Sequence, residues 1–180
     1  MKYLFGSILF LSSVFSSAGN WKSHSADIID KGRWEIGLFQ PLRYGYLDFL
    51  EISAHPGLFF VMPNIEIKES QIPVYGFRTA SQYKIIYPTA LLRRFSGEGI
   101  GMLIAPEHEI PHMIGFSGSF IGTKTLDSYE ITINSGLDLG LVFGDLNPAS
   151  SIDLPLIYHR LGVYYNGWGF HSGVDIQKML

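Results

Sequence analysis

The string His108-Glu109-Ile110-Pro111-His112 has the residue types and spacing of a zinc-hydrolase motif. On a helix, histidines at i and i+4 share one face, and the glutamate between them reaches a metal-bound water. Pro111 falls inside the pattern and Pro106 just before it. A proline in a helix interior removes a hydrogen bond and costs about 3 kcal/mol. No third ligand follows at helical spacing. The segment therefore reads as a polar loop between strands, and no metal or other cofactor is expected.

Other chemistry-bearing residues are more scattered. Ser135 and Ser172, with His159 and His171, are of the types used in acyl transfer, but that chemistry needs a nucleophile, a base and an orienting group in contact. A lone histidine on a strand face is more often a packed or water-bonded group. Gly97-Glu98-Gly99-Ile100-Gly101 lacks dinucleotide-binding spacing, and Gly118 to Lys124 lacks the terminal Gly-Lys-Ser/Thr of a phosphate loop. Arg93-Arg94 is an isolated basic pair in a chain of net charge −3, so no nucleic-acid partner is expected. The sequence assigns no catalytic, cofactor-binding or metal-binding residue, and the expectation is that the protein is not an enzyme.

The elements that must position these residues are strands. From Tyr129 to Phe143, odd positions carry Tyr, Ile, Ile, Ser, Leu, Leu, Leu and Phe, while even positions carry Glu, Thr, Asn, Gly, Asp, Gly and Val. That is period 2, the signature of a strand with two unlike faces. Further candidates are Arg33 to Gln40, Arg43 to Tyr46 and Phe49 to Ala54 around a turn near Leu47-Asp48, and Asn64 to Glu69. Val74 to Tyr87, Gly99 to Ala105, Met113 to Gly122 and Ile152 to Tyr158 follow. Asn166-Gly167 predicts a two-residue hairpin with Tyr165 facing Trp168, Val163 facing Phe170 and Tyr164 covering Gly169. Eight to ten short-spaced strands without an amphipathic helix predict an all-β sandwich or barrel.

Composition bears on which face points outward. Hydrophobic residues make up 47% of the 180 positions and charged residues only 16%, against about 25% in an ordinary soluble domain. The non-apolar faces hold Gly, Ser, Thr and Asn with a few charges, and little lysine. Such residues pack inside a narrow lumen better than they coat a surface. Inward Glu35, Glu51, Asp138, Asp175, Arg43 and Arg160 are then expected to find partners or water. Residues 1–18 read as a secretory signal peptide: Lys2, an apolar Tyr3 to Phe15, and small Ser16-Ser17-Ala18 before cleavage. The absence of cysteine excludes a disulfide framework and Cys-based zinc sites. No later apolar run is long enough to span a bilayer as a helix, so any membrane form must be a closed barrel.

With its alternating strands, glycine-rich faces and aromatics near turns, the stretches GRWEIGLFQPLRYG and IDLPLIYHRLGVYYNGWGF included, the chain resembles a bacterial outer-membrane β-barrel protein. The resemblance implies a signal peptide at 1–18 and a barrel domain at 19–180, an antiparallel transmembrane β-barrel of eight to ten strands or part of a larger one. It implies an outer-membrane location, membrane lipid and the outer-membrane insertion machinery as partners, and a structural or narrow passive-pore role. The alternatives are a secreted soluble β-barrel or sandwich that binds an apolar ligand, and a barrel-borne hydrolase using His159 or His171. The resemblance departs at Gln177 to Leu180, since such barrels usually finish on an aromatic and the last one here is Phe170. The closing strand is accordingly expected to be atypical or to lie beyond this sequence.

Overall fold

The computed structural model describes residues 24–37, 40–98, 104–105, 107–147 and 162–179. Eight strands follow one another in a single antiparallel sheet whose spatial order is the chain order: β1 (Trp34–Glu35), β2 (Leu42–Leu47), β3 (Leu50–Ala54), β4 (Asn64–Val74), β5 (Phe77–Ile86), β6 (His112–Leu126), β7 (Tyr129–Phe143) and β8 (Trp168–Lys178). Among the described residues three short helices interrupt the meander: α1 (Pro56–Phe59), α2 (Thr89–Arg94) and α3 (Gly162–Asn166). The sheet is not closed; among the described residues β1 pairs with β2 and β8 with β7, and no ladder joins the two. The signal-peptide stretch, the expected strand Ile152 to Tyr158, His159 and Arg160 lie outside the described residues.

The period-2 segment Tyr129 to Phe143 is β7 from end to end. Its apolar side is the uncovered one: Leu137 and Leu139 are 56% and 53% exposed, whereas Glu130 and Thr132 on the other side are 7% and 5% exposed. The same inversion runs through the neighbours. Ile65 and Ile67 of β4, Tyr83 and Ile85 of β5, Phe120 of β6, and Trp168, Phe170, Val174 and Ile176 of β8 are exposed, while Lys68, Gln82 and Thr123 are buried. On the uncovered face Tyr83 lies over Gly118, its partner in register, and Phe77 lies over Gly122. An aromatic ring over a glycine fills the gap that the missing side chain leaves in the sheet surface.

Two layers cover the polar face. At one end, residues 24–30 cross the strands. The Ala26 amide donates to Thr123 Oγ1 (2.8 Å), Lys68 Nζ donates to the Ser25 carbonyl (3.2 Å), and the Ile29 amide donates to Glu51 Oε2 (3.0 Å). Gly45 makes this crossing possible, because a Cβ there would sit 2.1 Å from the Asp30 carbonyl oxygen. At the other end, α2 and the loops around it bury an apolar cluster of Met62, Ile86, Leu91, Leu92, Ile104, Ile110, Met113 and Tyr164. The Arg93 guanidinium fastens α2 by donating twice to the Ile110 carbonyl, at 3.0 and 2.8 Å.

The Asn166-Gly167 hairpin is not formed. Residues Gly162–Asn166 make the helical turn α3, and β8 begins only at Trp168. Gly167 does adopt the left-handed conformation that the pair signals (φ +78°), but it ends a helix rather than turning a hairpin. The reason lies in packing. Val163 and Tyr164 are buried over the polar face, where Gly140 admits the α3 backbone: a Cβ there would meet the Val163 carbonyl oxygen at 2.8 Å. Val163, not Tyr164, lies against Gly169. A tight two-residue hairpin does form at Tyr75-Gly76, with φ of 49° and 78°, inside the run expected as a strand from Val74. Of the strand expected over Arg33 to Gln40, Trp34–Glu35 forms β1, and Leu38 and Phe39 lie outside the described residues.

Candidate functional site

Antiparallel register turns the polar face into rows that cross the sheet. One row runs Gly45, Glu51, Lys68, Gln82, Ser119, Gly136 and His171, each directly opposite the next, from β2 to β8. The adjacent row runs Glu35, Arg43, Ser53, Glu66, Lys84, Ser117, Asp138 and Gly169. Opposite residues share a face, so these rows bring carboxylates and cations together.

Toward β2, the rows form a buried ion cluster. Arg43 donates to Glu51 through Nε (2.7 Å) and Nη2 (2.6 Å), and through Nη1 to Glu35 (3.0 Å). The fork geometry suits a carboxylate and holds both groups with 4% and 2% side-chain exposure. Lys84 pairs with Glu66 at 3.0 Å, and the Gln82 amide also donates to Glu66. At the far corner Arg78 bridges Asp27 (2.7 Å) and Glu130 (2.9 Å). Glu35, Glu51, Asp138 and Arg43 thus have the partners expected of them, while Asp175 is exposed on β8.

Toward β8, the rows place a nucleophile, a base and a carboxylate in contact. Ser119 Oγ lies 3.1 Å from His171 Nε2, and His171 Nδ1 lies 3.0 Å from Asp138 Oδ2. With the ring proton on Nδ1 directed at Asp138, Nε2 accepts the Ser119 hydroxyl proton, so one tautomer satisfies both bonds. Ser119 and His171 belong to β6 and β8, with β7 between them. They meet because the intervening residue is Gly136: a Cβ there would lie 2.7 Å from Ser119 Oγ and 2.8 Å from His171 Cε1. The three side chains border a cavity of about 630 Å³, also lined by His24, Gln82, Lys84 and Asn134.

The other candidates fall elsewhere. Ser135 and Ser172 face each other in register on the opposite, apolar side of the sheet. His108 lies in a turn and His112 opens β6, its Nδ1 hydrogen-bonded to the Tyr87 hydroxyl, so the His-Glu-x-x-His string is a loop running into a strand. No group of three or more metal-ligating side chains occurs among the described residues. Ser119 and Asp138 carry no motif of their own. The alternation of β7 puts Asp138 on its polar face, but Ser119 is found only once the β6–β7–β8 register is known.

No protein-family pattern, curated protein or solved structure matches this chain.

Proposed function

We propose that the chain is the wall of a bacterial outer-membrane β-barrel, with a structural or narrow passive-pore role. The inverted sheet carries the reading: Leu, Ile, Phe and Trp stand exposed on one face while Arg, Lys, Glu and Thr are buried on the other. In water this arrangement would leave a continuous apolar patch far beyond what monomeric soluble proteins tolerate. Against hydrocarbon it is favourable, because the apolar face needs no cover and the polar face is satisfied internally.

Dimensions agree with that environment. From Ile131 to Leu141 the uncovered side of β7 is apolar except at Ser135. Ten residue steps at about 3.4 Å, tilted by about 40°, cover roughly 26 Å of depth, close to the apolar band of such barrels. Exposed aromatics stand near both ends of the strands: Tyr46, Phe49, Tyr75 and Tyr129 at one, and Phe59, Phe60, Phe143 and Trp168 at the other. Aromatic side chains favour the two membrane–water interfaces. Residues 24–30 and α3 fill the polar side, which argues for a plugged or narrow interior and against a wide channel. Open edges at β1 and β8 are not tolerated in lipid, so the reading requires that they pair or be joined by further strands.

The test is extraction after export in a Gram-negative host. The protein is expected in the envelope pellet after a urea wash, released by detergent and not by salt. A soluble periplasmic pool would instead favour a secreted barrel or sandwich.

A further inference from the structure

We propose that Ser119, His171 and Asp138 form a catalytic relay that hydrolyses small carboxylic esters entering the cavity on the polar face. Ser119 is the nucleophile, His171 the base, and Asp138 the positioning residue that holds the imidazole. Such a constellation is recognised by geometry and roles, not by chain order or fold. Here the order of contacts is right at both imidazole nitrogens: Nε2 toward the hydroxyl at 3.1 Å and Nδ1 toward the carboxylate at 3.0 Å. Random polar packing has no reason to place a glycine at the one position where any side chain would part the pair.

In the first half-reaction Ser119 Oγ attacks the ester carbonyl carbon while its proton passes to His171 Nε2. The acyl–oxygen bond to the alcohol breaks, and Nε2 returns the proton to the departing alkoxide. Water then attacks the acyl-serine, its proton passing through Nε2 to Ser119 Oγ, and the carboxylic acid leaves. Both steps balance with water as the only co-substrate. Strand backbone amides around Ser119 are engaged in the ladder, so charge on the carbonyl oxygen must be met by side chains. Gln82 stands directly opposite Ser119. Its amide carries two N–H groups, and its bond to Glu66 uses one of them. This modest donor set suits esters rather than amides, whose leaving groups are poorer. A cavity of about 630 Å³ lies within the range of small-molecule sites.

The experiment uses the full chain purified in detergent, p-nitrophenyl acetate as substrate and a fluorophosphonate as serine-directed probe. Mass spectrometry is expected to place the probe on Ser119. Ser119→Ala and His171→Ala are expected to lose turnover by on the order of 10³-fold or more. Asp138→Asn can donate to Nδ1 and so favours the wrong tautomer; kcat should fall with KM little changed, and Asp138→Glu should restore part of it. Failure of the wild-type protein, with its strand content intact, to take the probe at Ser119 would overturn the proposal, as would undiminished turnover by Ser119→Ala. Neither readout depends on whether the protein resides in a membrane, so this inference and the barrel reading fail separately.

Discussion

Ser119 and His171 are hydrogen-bonded across an entire intervening strand. Two interstrand steps amount to about 9.6 Å, too far for a serine to reach a histidine unless the side chains converge over an empty position. Gly136 is that position.

Gly136→Ala should therefore separate Ser119 from His171 without altering either residue. The new Cβ would also stand 2.5 Å from the Gly118 carbonyl oxygen, so the strands must shift. Overpacking of this kind costs about 1–3 kcal/mol. The expected outcome is a folded protein with a lowered urea midpoint and a slower reaction of Ser119 with fluorophosphonate. Equal reactivity in the two proteins would contradict the convergence.

Breaking the buried pair of Arg43 and Glu51 should be among the most damaging single changes. Glu51→Ala leaves a guanidinium with 4% side-chain exposure and removes the acceptor for the Ile29 amide. Loss of one partner of a buried ion pair costs about 3–5 kcal/mol. The double change Arg43→Met with Glu51→Leu should be milder than Glu51→Ala alone, as read from urea unfolding midpoints. A double variant less stable than the single would count against this account of the cluster.

Gly45→Ala tests whether residues 24–30 are held against the sheet by close backbone approach. The added Cβ cannot coexist with the Asp30 carbonyl 2.1 Å away. The segment should lift off and become the first site of limited proteolysis, with the strands still protected. An unchanged digestion pattern would show that the crossing does not depend on Gly45.

Leu137→Arg separates the membrane reading from a soluble one. Leu137 is already exposed, so in a water-soluble protein the change should be within about 0.5 kcal/mol of neutral. Leu137 lies near the middle of the apolar band from Ile131 to Leu141, and near the midplane of a bilayer the same change costs about 2–4 kcal/mol. Folding into lipid vesicles, followed by heat-modifiable gel mobility, should show a clear loss of stability.

Much of the sheet is legible in the sequence because period-2 alternation is local. Tyr129 to Phe143 declares its bounds and its two faces, and the turn near Leu47-Asp48 lies within a residue of the Asp48-Phe49 turn between β2 and β3. Asn166-Gly167 misled because a glycine with φ > 0 ends helices as readily as it turns hairpins, and only the burial of Val163 and Tyr164 over Gly140 decides between the two. The ion pairs were foreseeable as a need but not as partners. His171 was visible as a residue type, whereas Ser119 and Asp138 become its neighbours through the register of three strands, which no single segment encodes.

Spin-label accessibility along β7 tests the central claim most directly. The chain has no cysteine, so single-cysteine variants at positions 132 to 141 can be labelled one at a time in protein reconstituted into lipid vesicles. Labels replacing Ile133, Leu137, Leu139 and Leu141 should be accessible to oxygen dissolved in the bilayer, and those replacing Thr132, Asn134 and Asp138 should not, giving a two-residue oscillation. High accessibility of the first set to a water-soluble nickel chelate, with no oxygen maximum, would contradict a lipid-facing sheet.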